Sequence, residues 1–325
     1  MTEERRDDGA RADVARGDSG GRGRRGGAGK QARERLDVLL VERGLAPSRE
    51  RARALILAGE ARVEGQPAPK AGMLVPRDAR LELAGDGEVR YASRGGLKLE
   101  RALDAFALAS AWLVCLDVGA STGGFTDVLL RRGVAKVYAI DVGRGQLAWA
   151  LRSDPRVVVM DRTNIRQLAA LPEPAGCAVI DVSFISLRLV LPPVATLLAP
   201  GAWIVALVKP QFEAGRAEAD RGGGVISDPA VHRRVLRELL AWIETAAPAG
   251  ADGLRLAAKA LIASPITGRE GNHEYLLWLE LDEARDAGSG EPRSVDEAAI
   301  AAVVSAAFGP RNEPRSAMLR EATRE

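Results

Sequence analysis

Two hydrophobic rhythms divide this chain. Between Leu36 and Leu83 the apolar runs are short: LDVLLVERG reads as a helix closed by Gly44, and APSRERARALILAG as a second helix with Ser48 as N-cap and Gly59 as C-cap. ARVEG and ARLEL then alternate apolar and polar positions, the period-two mark of half-buried strands, joined by the turn-rich QPAPKAG. From Trp112 onward near-continuous apolar runs take over. VCLDVG, KVYAIDVG, RVVVM, CAVIDVS and WIVALVKP are each followed by a helix-like stretch, the sequence form of a parallel, doubly wound α/β sheet. A further helix begins at SDPAVHRRVLRELLAW, with Asp228 as cap and Pro229 in its first turn. LRLAAKALIAS and HEYLLWLEL read as two closing strands joined by PITGREGN.

The flanks lack these rhythms. Met1–Lys30 is polar, rich in Gly, Arg and Asp, and reads as a solvated, disordered tail rather than a signal peptide. Asp282–Glu325 is polar except for SVDEAAIAAVVSAAF, an amphipathic helix with a Ser294–Glu297 capping box. The expected organisation is a tail (1–32), a small module (33–92), a larger domain (93–282) and an extension (283–325).

Composition narrows the function classes. With 46% hydrophobic and 28% charged residues the chain is ordinary for a globular protein, and a net charge of +2 leaves nucleic-acid binding to local patches. Arg33–Lys98 holds 13 Lys+Arg against 10 Asp+Glu, a local net of +3. Arg49, Arg51 and Arg53 crowd the start of the second helix, an unfavourable place for cations that phosphate would relieve. Cys115 and Cys177 sit inside hydrophobic runs without metal-ligand spacing, so thiols in a reducing cytosol are expected. Ile185–Val208 comes closest to a membrane span, but Arg188, Pro192-Pro193 and Pro200-Gly201 interrupt it. His232 is expected at the surface, and His273 on the strand face opposite Glu274.

The chemistry concentrates in LDVGASTGGFTDVLL, a glycine-rich loop between the first long strand and a helix. It lacks the GK[ST] ending of a P-loop and the GxGxxG spacing of a dinucleotide fold. A third candidate ligand is S-adenosylmethionine (SAM), whose methyltransferases use an acidic residue just before such a loop. Asp117 precedes the loop, Gly119, Ala120, Ser121, Thr122, Gly123, Gly124 and Phe125 form it, and Asp141 and Asp161 end the next two strands, for the ribose hydroxyls and the adenine edge. In the usual methyltransferase strand order, Asp181, Lys209 and Glu274 fall on that same edge. Lys98, in SRGGLKLERAL, is a fourth candidate.

Two resemblances extend this reading. RLDVLLVERGLAPSRERARALILAGEARVEGQ resembles the ribosomal protein S-four-like RNA-binding domain, which implies phosphate contacts by Arg49, Arg53 and Arg62. YASRGGLKL, DVGASTGGFTD, DVSFISL, VKPQFE and GNHEYLL resemble the FtsJ-like ribose 2′-O-methyltransferases, and Arg33–Leu281 as a whole resembles the TlyA family. The resemblance implies a Rossmann-like seven-stranded SAM-dependent methyltransferase domain preceded by a small α+β RNA-binding domain. It further implies a Lys98–Asp181–Lys209–Glu274 tetrad, ribosomal RNA and ribosomal subunits as partners, and cytidine 2′-O-methylation of 23S and, in longer members, 16S rRNA in the cytoplasm. Lys209 would be the general base, its pKa depressed by burial and by Lys98; Asp181 and Glu274 would orient the lysines; no metal is needed. Gln211–Ser227 is expected to be a mobile loop over the RNA site, and the glycine pair in Tyr91–Gly96 a hinge between modules. The rivals are a haemolysin-type membrane-active protein, the other name the family carries, and a catalytically dead RNA-binding assembly factor.

Overall fold

The computed structural model describes residues 32–46, 48–57, 59–68, 70–83, 90–215, 218, 223–245, 254–268, 270–283 and 295–309. The expected N-terminal tail, apart from Ala32, and Ser294 lie outside the described residues.

In the N-terminal part, β1 (Arg33–Arg35) pairs with β4 (Leu74–Pro76), while β2 (Ala61–Val63) lies between β3 (Gln66–Pro67) and β5 (Leu81–Leu83). Helices α1 (Leu36–Glu42) and α2 (Arg49–Leu57) complete a module with its own core of Leu36, Leu39, Leu40, Leu55, Ile56 and Val75. The Ser48 hydroxyl accepts from the Arg51 amide at 3.1 Å, the expected N-cap, and Gly44 and Gly59 take φ +71° and +73°.

The larger part is one sheet of seven strands ordered β11-β12-β10-β9-β6-β7-β8. These are β6 (Val114–Val118), β7 (Lys136–Asp141), β8 (Val157–Asp161), β9 (Ala175–Ile180), β10 (Leu198–Val208), β11 (Leu254–Ala263) and β12 (Tyr275–Glu283). The five strands β6–β10 run parallel, and β12 inserts antiparallel between β10 and β11. Side chains alternate across the sheet. Leu116, Ile180, Ala206 and Val208 pack with Leu236 and Leu239 of α8 (Pro229–Thr245) and Ile300 and Val304 of α9 (Glu297–Phe308). Val179, Val205 and Leu207 pack on the other face with Leu99 and Leu103 of α3 (Gly95–Ala105) and Val128 and Leu129 of α4 (Gly124–Arg131). With both faces covered, the central strands read as unbroken apolar runs.

Several expectations need correction. Cys115 and Cys177 are not thiols: they face each other in register on parallel neighbours β6 and β9, with Cα atoms 4.8 Å apart, and form a disulfide. Their separation of 62 residues hid the pairing. Asp228 does cap α8, accepting from the Ala230 amide at 2.8 Å, but α9 is capped by Asp296 through the Ala299 amide, and Glu297 pairs with Arg237 instead. His232 is fully buried, its ring nitrogens bonded to the Tyr275 hydroxyl and the Ile226 carbonyl, and burial lowers its pKa. The Tyr91–Gly96 stretch is packed rather than hinged: a Cβ on Gly96 would lie 2.5 Å from the Tyr91 ring, and the Ala92 amide donates to Asp127 at 2.8 Å. Gln211–Ser227 begins as helix α7 (Pro210–Glu213), and Ala214 and Ile226 join Val235 in a small core; 216, 217 and 219–222 lie outside the described residues.

Candidate active site

The C-terminal ends of the parallel strands meet at a cavity of about 1310 Å³, larger than a typical small-molecule site of roughly 300–1,000 Å³. Lys98, Asp181, Lys209 and Glu274 all line it. Asp181 follows β9, Lys209 follows its parallel neighbour β10, Glu274 precedes the antiparallel β12, and Lys98 lies in the first turns of α3. They form two ion pairs: Lys209 Nζ is 2.6 Å from Asp181 Oδ1, and Lys98 Nζ is 2.5 Å from Glu274 Oε2. Lys209 also donates to Ser183 Oγ at 3.0 Å. Burial pushes the Asp181 carboxyl up, but the positive charges of Lys209 and Lys98 outweigh it and hold its pKa below the ordinary value. His273 turns from Glu274 onto Phe308, ring centroids 4.3 Å apart, as the strand alternation predicts.

The glycine loop forms another wall through Gly119, Ala120, Ser121, Thr122, Gly124 and Phe125. Gly119 takes φ +87°, and a Cβ there would lie 2.3 Å from the Asp181 carbonyl, so only glycine lets the loop after β6 touch the chain after β9. Asp141 stands behind the loop, accepting from the Ser121 amide at 2.8 Å and the Gly143 amide at 2.7 Å. The other acids sit differently from expectation. Asp117 is fully buried beneath the loop, accepts from the Thr126 hydroxyl at 2.6 Å, and leaves Oδ1 without a partner. Burial raises its pKa to about 7. Asp161 is engaged by Arg152 at 2.8 Å and by the Gly145 amide at 3.1 Å. Asp117, Gly123, Asp141 and Asp161 are not among the cavity-lining residues.

Sequence reasoning missed an aromatic pair. Phe184 is 91% exposed and packs on Phe212 with ring centroids 5.0 Å apart, both at the cavity. A phenylalanine in the left-handed region, φ +64°, is a strained conformation that the surrounding contacts must maintain. An exposed aromatic after an acid was the available signal, but nothing in DVSFISL shows that it escapes the core. Arg94 and Arg166 also line the cavity.

The N-terminal arginines are answered from within the protein. Asp37, fully buried in α1, pairs with Arg35 at 2.9 Å, Arg53 at 3.0 Å and Arg49 at 3.3 Å. The hydrogen bond from Arg35 leads in holding the Asp37 pKa far below the usual range, against the opposing effect of burial. Asp37 offsets only part of this positive charge, and Arg49 and Arg53 remain half exposed. Arg62 is exposed and donates to the Gly65 carbonyl at 3.2 Å.

Strand order, glycine loop and clustered charges together define a Rossmann-like methyltransferase. The FtsJ-like methyltransferase model matches residues 91–281 and the S4 domain model residues 34–81. The 16S/23S rRNA (cytidine-2′-O)-methyltransferase TlyA of Mycobacterium tuberculosis is 48% identical over 257 residues, 78% of this chain and 92% of that protein. Hemolysin A of Brachyspira hyodysenteriae is 36% identical over 74% of this chain and 98% of its own. A solved structure described as a candidate hemolysin of Streptococcus thermophilus superposes with TM-score 0.61 at 40% identity, covering 85% of this chain and 96% of that one. The chain belongs to the FtsJ-like methyltransferase family, in the S4-domain-bearing branch that carries both the TlyA and the hemolysin names.

Proposed function

We propose that this protein transfers a methyl group from SAM to a ribose 2′-hydroxyl of ribosomal RNA in the cytoplasm, with cytidine as the target nucleoside. The observation that carries this reading is the pairing of two lysines with two carboxylates in one cavity beside the glycine loop. The cavity fits the cofactor: Gly119 allows close backbone approach, Gln146 lines the wall, and Asp141, just behind the loop, is the carboxylate we assign to the ribose hydroxyls. When bound, SAM supplies an electrophilic methyl group on a sulfonium.

A ribose hydroxyl is a weak nucleophile, so a base must take its proton as attack proceeds. Lys209 is the group placed to take it. Asp181 and Ser183 fix its Nζ through contacts of 2.6 and 3.0 Å. Lys98 stabilises the negative charge that develops on the 2′-oxygen, and Glu274 holds Lys98. Phe184, backed by Phe212, provides a stacking face for the unstacked target base at the cavity mouth. Arg49, Arg53 and Arg62 would contact phosphates away from the target nucleotide.

Transfer of tritium from labelled SAM to ribosomal subunits, run beside a liposome-leakage assay, tests the reading. Labelled rRNA, mapped to cytidine 2′-O, supports it; leakage without label transfer overturns it in favour of the hemolysin reading. Among the described residues no helix is long and apolar enough to cross a membrane.

A further inference from the structure

We infer that Glu213 is a positioning residue that clamps the Asp181–Ser186 turn against Lys209 and so sets the geometry of methyl transfer; this rests on the methyl-transfer reading above. Lys209 and Glu213 stand at the two ends of α7, and the turn after β9 runs alongside. At one end Lys209 meets Asp181 and Ser183. In the middle the Phe212 and Phe184 rings meet at 5.0 Å. At the far end Glu213 Oε2 accepts from the Ser186 hydroxyl and Oε1 from the Leu187 amide, both at 2.6 Å.

Three features make this carboxylate more than a local cap. Phe184 sits between the two ends at φ +64°, a strained conformation that persists only while the chain on both sides is held. Ser186 is itself committed, because its oxygen also accepts from the Arg188 amide at 3.2 Å and starts the 3-10 turn Leu187–Leu189. Behind α7, Ala214 is anchored against Ile226 and Val235, so Glu213 connects an anchored helix to a strained turn. The turn carries Asp181, which orients the base, and Phe184, which faces the substrate. A loosened clamp would displace both while leaving the glycine loop intact.

The test uses the full chain, labelled SAM and ribosomal RNA. Glu213→Ala should lower kcat by about 10–100-fold, the scale of an ångström-level misplacement, with SAM affinity and Tm close to wild type. Glu213→Gln, which keeps one acceptor oxygen, should recover most of the loss. Ser186→Ala should cost less, and the double variant no more than Glu213→Ala, because both act through one link. Near-normal kcat in Glu213→Ala, losses that multiply in the double variant, or SAM affinity and Tm falling in step with kcat would each overturn the inference. Hydrogen exchange reads the same clamp without turnover: amides of 182–187 should exchange faster in Glu213→Ala. Unchanged exchange there sinks the clamp even if rRNA proves not to be the substrate, whereas faster exchange with a wild type inactive on rRNA sinks only the methyl-transfer reading.

Discussion

Lys209 Nζ lies 2.6 Å from Asp181 Oδ1, across the C-terminal ends of two neighbouring parallel strands. The ammonium that closes the apolar run AWIVALV is thus neither a solvent-seeking side chain nor a core defect: it is held in the cavity wall by a carboxylate delivered by the next strand. Replacing Lys209 with Ala should reduce methyl transfer by about 10²–10⁴-fold, the usual consequence of losing a general base. SAM affinity, measured by calorimetry, should change little, because the glycine loop is untouched. Near-normal turnover removes Lys209 from the mechanism.

Asp141 joins the end of β7 to the glycine loop through the Ser121 and Gly143 amides. Asp141→Ala should weaken SAM binding by roughly 1.5–3 kcal/mol, the scale of a hydrogen bond to a charged group. The structure adds a second expectation: faster amide exchange at Ser121, whose acceptor is removed. Unchanged affinity would refute the ribose role.

Asp117 provides a pH signature of stability. Its folded pKa is raised to about 7 by burial, above the roughly 3.9 of an unfolded aspartate. The unfolded chain therefore loses this proton first. The contribution is complete below about pH 4 and is lost as pH rises through about 7. Asp117→Asn should flatten that part of the pH profile and gain relative stability above pH 7. Urea titrations across pH 4–8 without ligand check it; parallel profiles for the two proteins contradict it.

Arg49 and Arg53 share the buried carboxylate of Asp37. Neutral replacements keep that carboxylate from facing new negative charge, so Arg49→Gln with Arg53→Gln is the informative variant. RNA affinity should fall, with a shallower dependence on salt, while SAM affinity stays constant. An unaltered salt slope would exclude both arginines as phosphate contacts.

Helix α9 lies beyond the residues matched by the family model, yet Ile300 and Val304 are 3% and 0% exposed in the core on α8. A fragment ending at Leu281 should therefore lose stability, by about 1.5–3 kcal/mol for each large side chain no longer covered. Fragments used to test the N-terminal module should run to Gly309. Equal denaturation midpoints for chains ending at 281 and 309 would show α9 to be dispensable.

The sequence by itself determined the sheet, the glycine loop and the identity of the four clustered charges. Strands covered on both faces must read as unbroken apolar runs, and a parallel sheet delivers the residue after each strand to one edge, so Asp181 and Lys209 were legible from their place after CAVI and WIVALV. What only the tertiary structure decided is which of these groups meet. The pairing of Lys209 with Asp181 and of Lys98 with Glu274, the disulfide between Cys115 and Cys177, and the capture of Arg49 and Arg53 by Asp37 all depend on strand register and helix packing. The same holds for burial: His232 lies on a helix that looks amphipathic, but Tyr275 from a distant strand, together with Ile226 just ahead of the helix, closes over it. Local pattern fixes which face a residue takes on its own element. The partner across that face is fixed by long-range contacts, whose separations of tens of residues leave no periodic trace in the sequence.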